Sequence, residues 1–126
     1  MSGLRRQIAA GLSVLAALTL LPRPAAAHAL VLESSPRANE VVTVSPSRIF
    51  LSFNSRIEKA LSGVTLRGPG GRPVPLLVTA PDPSPNHLAL SLPALQPGEY
   101  LVHWKVLSAD GHVTEGAFRF TLAPPP

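Results

Sequence analysis

From residue 29 onward, apolar and polar residues alternate in short runs closed by proline, glycine, serine or asparagine. Side chains on a strand point to opposite faces with a period of two, so each alternating run predicts one strand. Ala29 to Glu33 is a short apolar run ended by Ser34-Ser35-Pro36. Arg48 to Phe53 sets Ile49, Leu51 and Phe53 on one face and Phe50 and Ser52 on the other. Gly63 to Arg67 and Val74 to Thr79 read as a hairpin about the turn Gly68-Pro69-Gly70-Gly71. His87 to Leu92 aligns Leu88, Leu90 and Leu92. Glu99 to Leu107 is the clearest strand, with Tyr100, Val102, Trp104 and Val106 on one face. Ala117 to Leu122 closes the set with Phe118, Phe120 and Leu122 inward. These are about seven short strands with turn signals roughly every ten residues, the pattern of an all-β sandwich or barrel with Greek-key connections. Ser55 to Leu61 has room for one helical turn in a crossover, and residues 80–86 form a proline-rich loop.

The segment before residue 28 has a different texture. Arg5 and Arg6 precede an apolar stretch from Ile8 to Leu21, Pro22 and Pro24 end any helix, and Ala25-Ala26-Ala27 supplies small residues. A positive start, an apolar middle and a small-residue cut site make a secretory signal. The apolar run is shorter than the roughly 20 residues that span a bilayer as a helix. The expectation is cleavage after Ala27, giving a signal peptide at 1–27, one domain at 28–123 and a frayed tail at 124–126. The processed chain should carry no membrane span and should lie in the periplasm.

Composition then narrows the chemistry. Removing 27 of the 126 residues leaves 99, enough for one core. Arg5, Arg6 and Arg23 leave with the signal, so 8 of the 11 Lys and Arg residues remain beside 7 Asp and Glu, a net charge of +1. That balance gives no reason to expect nucleic acid or an anionic membrane as partner. Cysteine is absent and the one methionine is Met1. A disulfide, a thiolate metal site and a thiol nucleophile are excluded, and any metal must bind through nitrogen and oxygen.

Two features could bind one. Cleavage after Ala27 makes His28 the first residue, whose α-amine and imidazole Nδ1 can chelate a metal together; an α-amine has a pKa near ~8 and yields its proton readily. The second is Ser108-Ala109-Asp110-Gly111-His112, directly after the strongest strand. Asp110 and His112 are two apart, so an extended backbone turns both to one side, and Gly111 lets the chain bend. One amine, two imidazoles and one carboxylate favour Cu(II) in a tetragonal field, with zinc as the competing ion. Spacing alone leaves a second reading open: a polar turn in which Asp110 accepts a backbone N–H and His112 sits at the surface.

The run from Gly98 to His112 (GEYLVHWKVLSADGH), followed by Gly116 and Phe118-Arg119-Phe120, closely resembles the C-terminal signature of the CopC copper-resistance family. His28-Ala29-Leu30 with Ser34-Ser35-Pro36 behind it is similar to that family's mature N-terminus, and Ser62-Gly63-Val64 matches a further element. The resemblance implies an immunoglobulin-like β-sandwich or barrel that binds one Cu(II) per chain. Its implied ligands are His28 (amine and Nδ1), Asp110 and His112, so the two chain ends must meet. It also implies a partner to receive the copper, often an inner-membrane transporter of the CopD type. Four good ligands leave little room for substrate chemistry and the chain shows no nucleophile–base set, so the leading expectation is a non-catalytic carrier or buffer, working as a monomer.

Two departures from the family pattern stand out. Some members place a glutamate after an Phe-Ser pair of an early strand, where this chain reads Phe53-Asn54-Ser55, although Glu58 is close by. Some bind Cu(I) in a methionine-rich loop, and residues 68–86 here hold no methionine. Soft Cu(I) needs thioether or thiolate ligands, so the chain reads as a Cu(II)-only member. His87 reads as a surface group. His103 reads as a surface or packing residue that could support His112 if the sheet brings them together, and Glu115 as a solvated charge or a partner for a ligand histidine. Two rival functions remain: a histidine-brace copper oxidase or oxygenase, and an immunoglobulin-like interaction module that binds no metal.

Overall fold

The structure is a computed structural model and describes residues 29–77 and 82–126. It is all-β, as expected, with eight strands in two sheets. These are β1 (Val31–Ser35), β2 (Val41–Val42), β3 (Arg48–Phe53), β4 (Gly63–Arg67), β5 (Pro73–Val74), β6 (His87–Ser91), β7 (Gly98–Leu107) and β8 (Val113–Leu122). One sheet has the order β1-β3-β6 and the other β2-β8-β7-β4-β5, so the chain crosses repeatedly between the two. Single 3₁₀ turns lie at Lys59–Leu61, inside the expected crossover, and at Pro69–Gly71, the expected tight turn. No helix among the described residues is long and apolar enough to cross a membrane.

The alternation read from the sequence sets which residues meet between the sheets. Ile49, Leu51 and Phe53 on β3 and Val102 and Val106 on β7 are fully buried in one cluster with Leu66, Tyr100, Phe120 and Leu122. Burying one such side chain contributes about 1.5–3 kcal/mol, so this stripe supplies most of the cohesion between the sheets. Tyr100 stacks on Phe120, ring centroids 5.3 Å apart, and its hydroxyl donates to the carbonyl of Gln96. A buried tyrosine bonded back to the backbone just upstream is the tyrosine corner of immunoglobulin-like sandwiches.

Four local expectations shift. The first strand begins at Val31 rather than Ala29, because the backbone of Leu30 is already held by Asn54 beyond the end of β3. The hairpin partner of β4 shortens to Pro73–Val74: the chain then leaves that sheet, and Leu77 makes an isolated bridge to Ser91 of the other one. Val78 and Thr79 lie outside the described residues. β8 starts at Val113, four residues early, since β7 pairs with it in unbroken register from Gly98–Leu122 to Leu107–Val113. Backbone pairing carries Thr114, Glu115 and Gly116 into the strand where their side chains give no strand signal. β2 was not foreseen; two residues leave no period to read, and it lies parallel to Thr121–Leu122.

Gly116 shows how tightly β8 is fitted. A Cβ there would stand 2.5 Å from Cζ2 of Trp104 on the neighbouring strand, so only glycine leaves room for the indole. Trp104 in turn meets Phe53 edge to face, centroids 5.4 Å apart. This residue is half-buried rather than fully enclosed, at the open flank between β1 and β8.

Candidate metal centre

The β7–β8 hairpin positions the predicted acid–imidazole pair. Its ten paired positions end at Leu107–Val113, and residues 108–112 form the turn. The Ser108 N–H donates to the His112 carbonyl at 2.8 Å, and the Gly111 N–H donates to the Ser108 carbonyl at 2.9 Å. Gly111 sits at φ +89°, a left-handed conformation that glycine adopts at little cost. The loop is therefore a closed turn, not the extended backbone that the two-residue spacing suggested.

The turn still brings the two side chains together. Asp110 Oδ1 accepts the His112 backbone N–H at 3.2 Å and lies 3.3 Å from the ring Nδ1. Asp110 is 42% exposed and His112 57%, so both can reach a ligand from solvent. The His112 backbone N–H, and after it the His112 ring, hold the Asp110 carboxyl below its ordinary range against a smaller opposing effect of burial. The carboxylate is thus oriented beside the imidazole, one oxygen and one nitrogen donor on one short loop. The N–H accepted by Asp110 is the feature that a plain polar turn would also show.

His28, the remaining predicted ligand, lies outside the described residues. Its covalent neighbour does not. Ala29 is buried at 1% exposure, and its carbonyl accepts the Thr114 hydroxyl at 3.3 Å. Thr114 is two residues from His112. Leu30 is clamped on the other side: its N–H donates to Asn54 Oδ1 at 2.7 Å, and its carbonyl accepts the Asn54 N–H at 2.9 Å. The start of the described chain and the hairpin turn therefore sit at the same end of the sandwich. Among the described residues, no three His, Cys, Asp or Glu side chains are grouped to hold a metal ion.

The other candidates are placed elsewhere. His103 Nε2 lies 3.2 Å from Glu115 Oε2 on the outer face of the hairpin. Glu115 therefore faces His103 and not a predicted ligand, and His103 is opposite Ala117, away from the turn. His87 lies 3.2 Å from Asp82 and packs edge to face on Phe50. Glu58 is exposed on the neighbouring loop, its N–H bonded to the Leu107 carbonyl at 2.8 Å. Sequence reasoning missed Thr114 and Asn54, which hold the N-terminal end. Nothing in the linear pattern marks them, because their partners are 85 and 24 residues away.

Residues 31–123 match the family model described as the CopC domain. The chain is 35% identical over 99 residues to Protein YobA of Escherichia coli (strain K12), across 76% of this chain and 79% of that one. The crystal structure of CopC from Methylosinus trichosporium OB3b superposes with a TM-score of 0.71 at 33% identity, covering 77% of this chain and 95% of that one. That of PcoC, a methionine-rich copper resistance protein from Escherichia coli, gives 0.68 at 30% identity, covering 75% and 98%. The present chain carries one methionine, Met1.

Proposed function

Given that the chain belongs to the CopC family, we propose that it is a periplasmic carrier or buffer that holds one Cu(II) ion as cargo. Export removes residues 1–27, and His28 becomes the first residue of a single domain spanning 28–123. The ion is bound by the His28 amine and Nδ1, by Asp110 and by His112. The protein works as a monomer without catalysing a reaction, and it passes its ion to a membrane transporter of the CopD type.

The observation that carries this reading is the bond from Thr114 to the carbonyl of Ala29. It fixes the residue after His28 two positions from His112, on the turn where Asp110 and His112 already face one another at 3.3 Å. Ala29 is the residue next to His28 in sequence, and this bond ties it to the strand that leaves the turn. The donor set suits the ion: nitrogen and oxygen ligands favour Cu(II) over Cu(I), and the chain offers no thiolate and no thioether after residue 1.

The test is a competition titration of the exported, processed protein with Cu(II), read by electron paramagnetic resonance. A 1:1 tetragonal complex is expected, and His28→Ala and His112→Ala should each weaken it sharply. Equal binding by the parent and both variants would refute the assignment. Peroxide turnover or oxidised sugar products from the copper-loaded protein would refute the non-catalytic role. A processed chain beginning at Ala27 or Ala29 would remove the bidentate histidine.

A further inference from the structure

The net charge of +1 carried by residues 29–126 is spread unevenly over the fold. The end of the sandwich remote from the hairpin turn holds Arg37, Arg48, Arg67, Arg72 and Arg119 beside two acids, Glu40 and Glu99. Both acids are already engaged: Glu40 Oε2 accepts the Arg37 N–H at 2.7 Å, and Glu99 Oε1 accepts from Arg119 Nη1 at 2.7 Å. The remaining three basic and five acidic side chains lie toward the turn. The remote end is therefore electropositive and draws anions.

Two adjoining cavities open at that end. Arg67 and Arg119 flank Leu101 in one row across β4, β7 and β8, and directly paired residues share a face of the sheet. Both arginines line a cleft of about 300 Å³ on the outer face, against the turn at Pro69–Gly71. Arg67 Nη1 donates to the Gly71 carbonyl at 3.1 Å and Arg119 Nη1 to Glu99. A guanidinium carries five N–H donors, so each keeps donors for a ligand. On the other side of the turn is a pocket of about 530 Å³, lined by Val74, Leu95, the Tyr100 ring and Pro73, Pro75 and Pro93, with Arg72 at its edge. Gly68, Pro69 and Gly70 wall both cavities. That wall is firm: the Gly68 N–H donates to the Arg72 carbonyl at 2.7 Å, and Pro69 is seated on Gly98, where any Cβ would collide with its ring. Both cavities are within the ~300–1,000 Å³ of ordinary ligand pockets.

We infer that this end binds an amphipathic anion, a carboxylate or phosphate head on a hydrocarbon chain. The head lies in the outer cleft, where Arg67 and Arg119 meet it with charge-assisted hydrogen bonds. The chain crosses the turn into the apolar pocket, past Arg72. An inorganic anion would leave the apolar pocket unfilled, and a neutral apolar molecule would leave the guanidinium donors unused. The site shares no residue with the proposed metal centre. Six residues of β7 beyond Leu101, roughly 20 Å of strand, separate it from the hairpin turn, so the two can be occupied together.

The exported protein is titrated with dodecanoate below its micelle threshold. Binding is followed by calorimetry and by the ring resonances of Tyr100, the chain's one tyrosine. One molecule per chain is expected, with a shift at Tyr100. Arg67→Ala combined with Arg119→Ala should weaken binding by about tenfold or more, since hydrogen bonds to charged groups are among the stronger ones. Ala94→Asp sets a like charge in the path of the chain and should also weaken binding. Lys105→Ala, on the same outer face but toward the turn, should leave it unchanged. All four residues are exposed, and melting temperatures check that the variants keep the parent fold. A Tyr100 ring unmoved by dodecanoate overturns the inference. So does equal affinity in the parent and all variants, or equal affinity of the parent for inorganic phosphate. Flotation with vesicles separates two sources of the ligand. Recruitment of the parent, but not the double arginine variant, to phosphatidylglycerol and not phosphatidylcholine vesicles assigns a bilayer lipid. Dodecanoate binding without recruitment assigns a free amphiphile.

Discussion

Loosening the N-terminal tether without touching a ligand is the most direct probe of the proposed site. Two side chains hold the entry segment: Asn54 Oδ1 accepts the Leu30 N–H at 2.7 Å, and Thr114 Oγ1 donates to the Ala29 carbonyl at 3.3 Å. The perturbation is Asn54→Ala with Thr114→Val, which removes both bonds and keeps a β-branched residue in β8. An intramolecular hydrogen bond contributes about 0.5–1.5 kcal/mol net. With one of the pair long and the other exposed, the two together come to about 1–2 kcal/mol. That energy now holds residues 29 and 30 in place, and its loss must be recovered from metal binding before His28 can join the turn. At 1.4 kcal/mol per tenfold, Cu(II) affinity should fall by about 5- to 30-fold. The backbone bond from Asn54 to the Leu30 carbonyl remains, so the metal-free fold should lose no more than the two bonds are worth. Competition titration gives the affinity, and hydrogen exchange of the Leu30 amide reports the tether. A Leu30 amide that exchanges faster while Cu(II) affinity stays at the parent value would refute the reasoning.

Three further outcomes follow from separate parts of the molecule. Gly116→Ala forces a methyl group to within 2.5 Å of the Trp104 ring; overpacking of this kind costs about 1–3 kcal/mol, measurable by urea unfolding and by a shift in the emission of Trp104, the chain's one tryptophan. Asp82 is held below its ordinary 3.8 chiefly by the Ser84 N–H and then by His87, so its stabilising effect is complete above that value and disappears as pH falls through the lower folded-state pKa; Asp82→Asn should lower the urea midpoint at pH 7, and the difference from the parent should shrink as the pH is taken below the ordinary carboxylate range. Asp110 is likewise held low and is charged throughout pH 5–8, so Asp110→Asn should displace the plot of log affinity against pH by a constant amount in that range. That offset should exceed the roughly 10- to 100-fold cost of losing an outer partner, and a change of slope would contradict it.

The sequence made the interior legible and the site only half so. Strands that alternate cleanly declared themselves: Arg48–Phe53 matches its expected limits, and the strand expected over Glu99–Leu107 begins one residue earlier, at Gly98, because burial on one face imposes a period of two. The start of β8 did not. Thr114, Glu115 and Gly116 are in that strand because β7 is there to pair with, and a glycine in such a run signals close approach by another group; here the group is Trp104. At the proposed site, Asp110 and His112 could be singled out because two side chains of metal-ligating type stand together in one turn. Their meeting at 3.3 Å came through a glycine in a left-handed conformation, which spacing does not encode. Thr114 and Asn54 are common polar residues in unremarkable positions, and their meaning appears only when residues 85 or 24 apart in sequence are brought together.

The two halves of the proposed site differ in how firmly they are built, and that difference bears on release as well as binding. Asp110 and His112 sit on a turn closed by its own backbone bonds and rooted through ten paired positions in a hairpin whose inner face is the core. Their mutual orientation exists in the metal-free fold. The segment leading to His28 is secured by the burial of Ala29 and a few hydrogen bonds at its margin, and such margins open at far lower free energy than a core ladder. Under the proposed function, binding then joins one chain end to a pair of side chains already oriented together. Release follows the same path in reverse: the terminal chelate detaches first, leaving the ion on two exposed side chains where a competing ligand set can approach. A site enclosed on all sides would bind at least as well, but it would have to unfold part of the sandwich to let go. On that proposal, one chelate at a chain end would let the β-sandwich surrender its cargo without moving a strand.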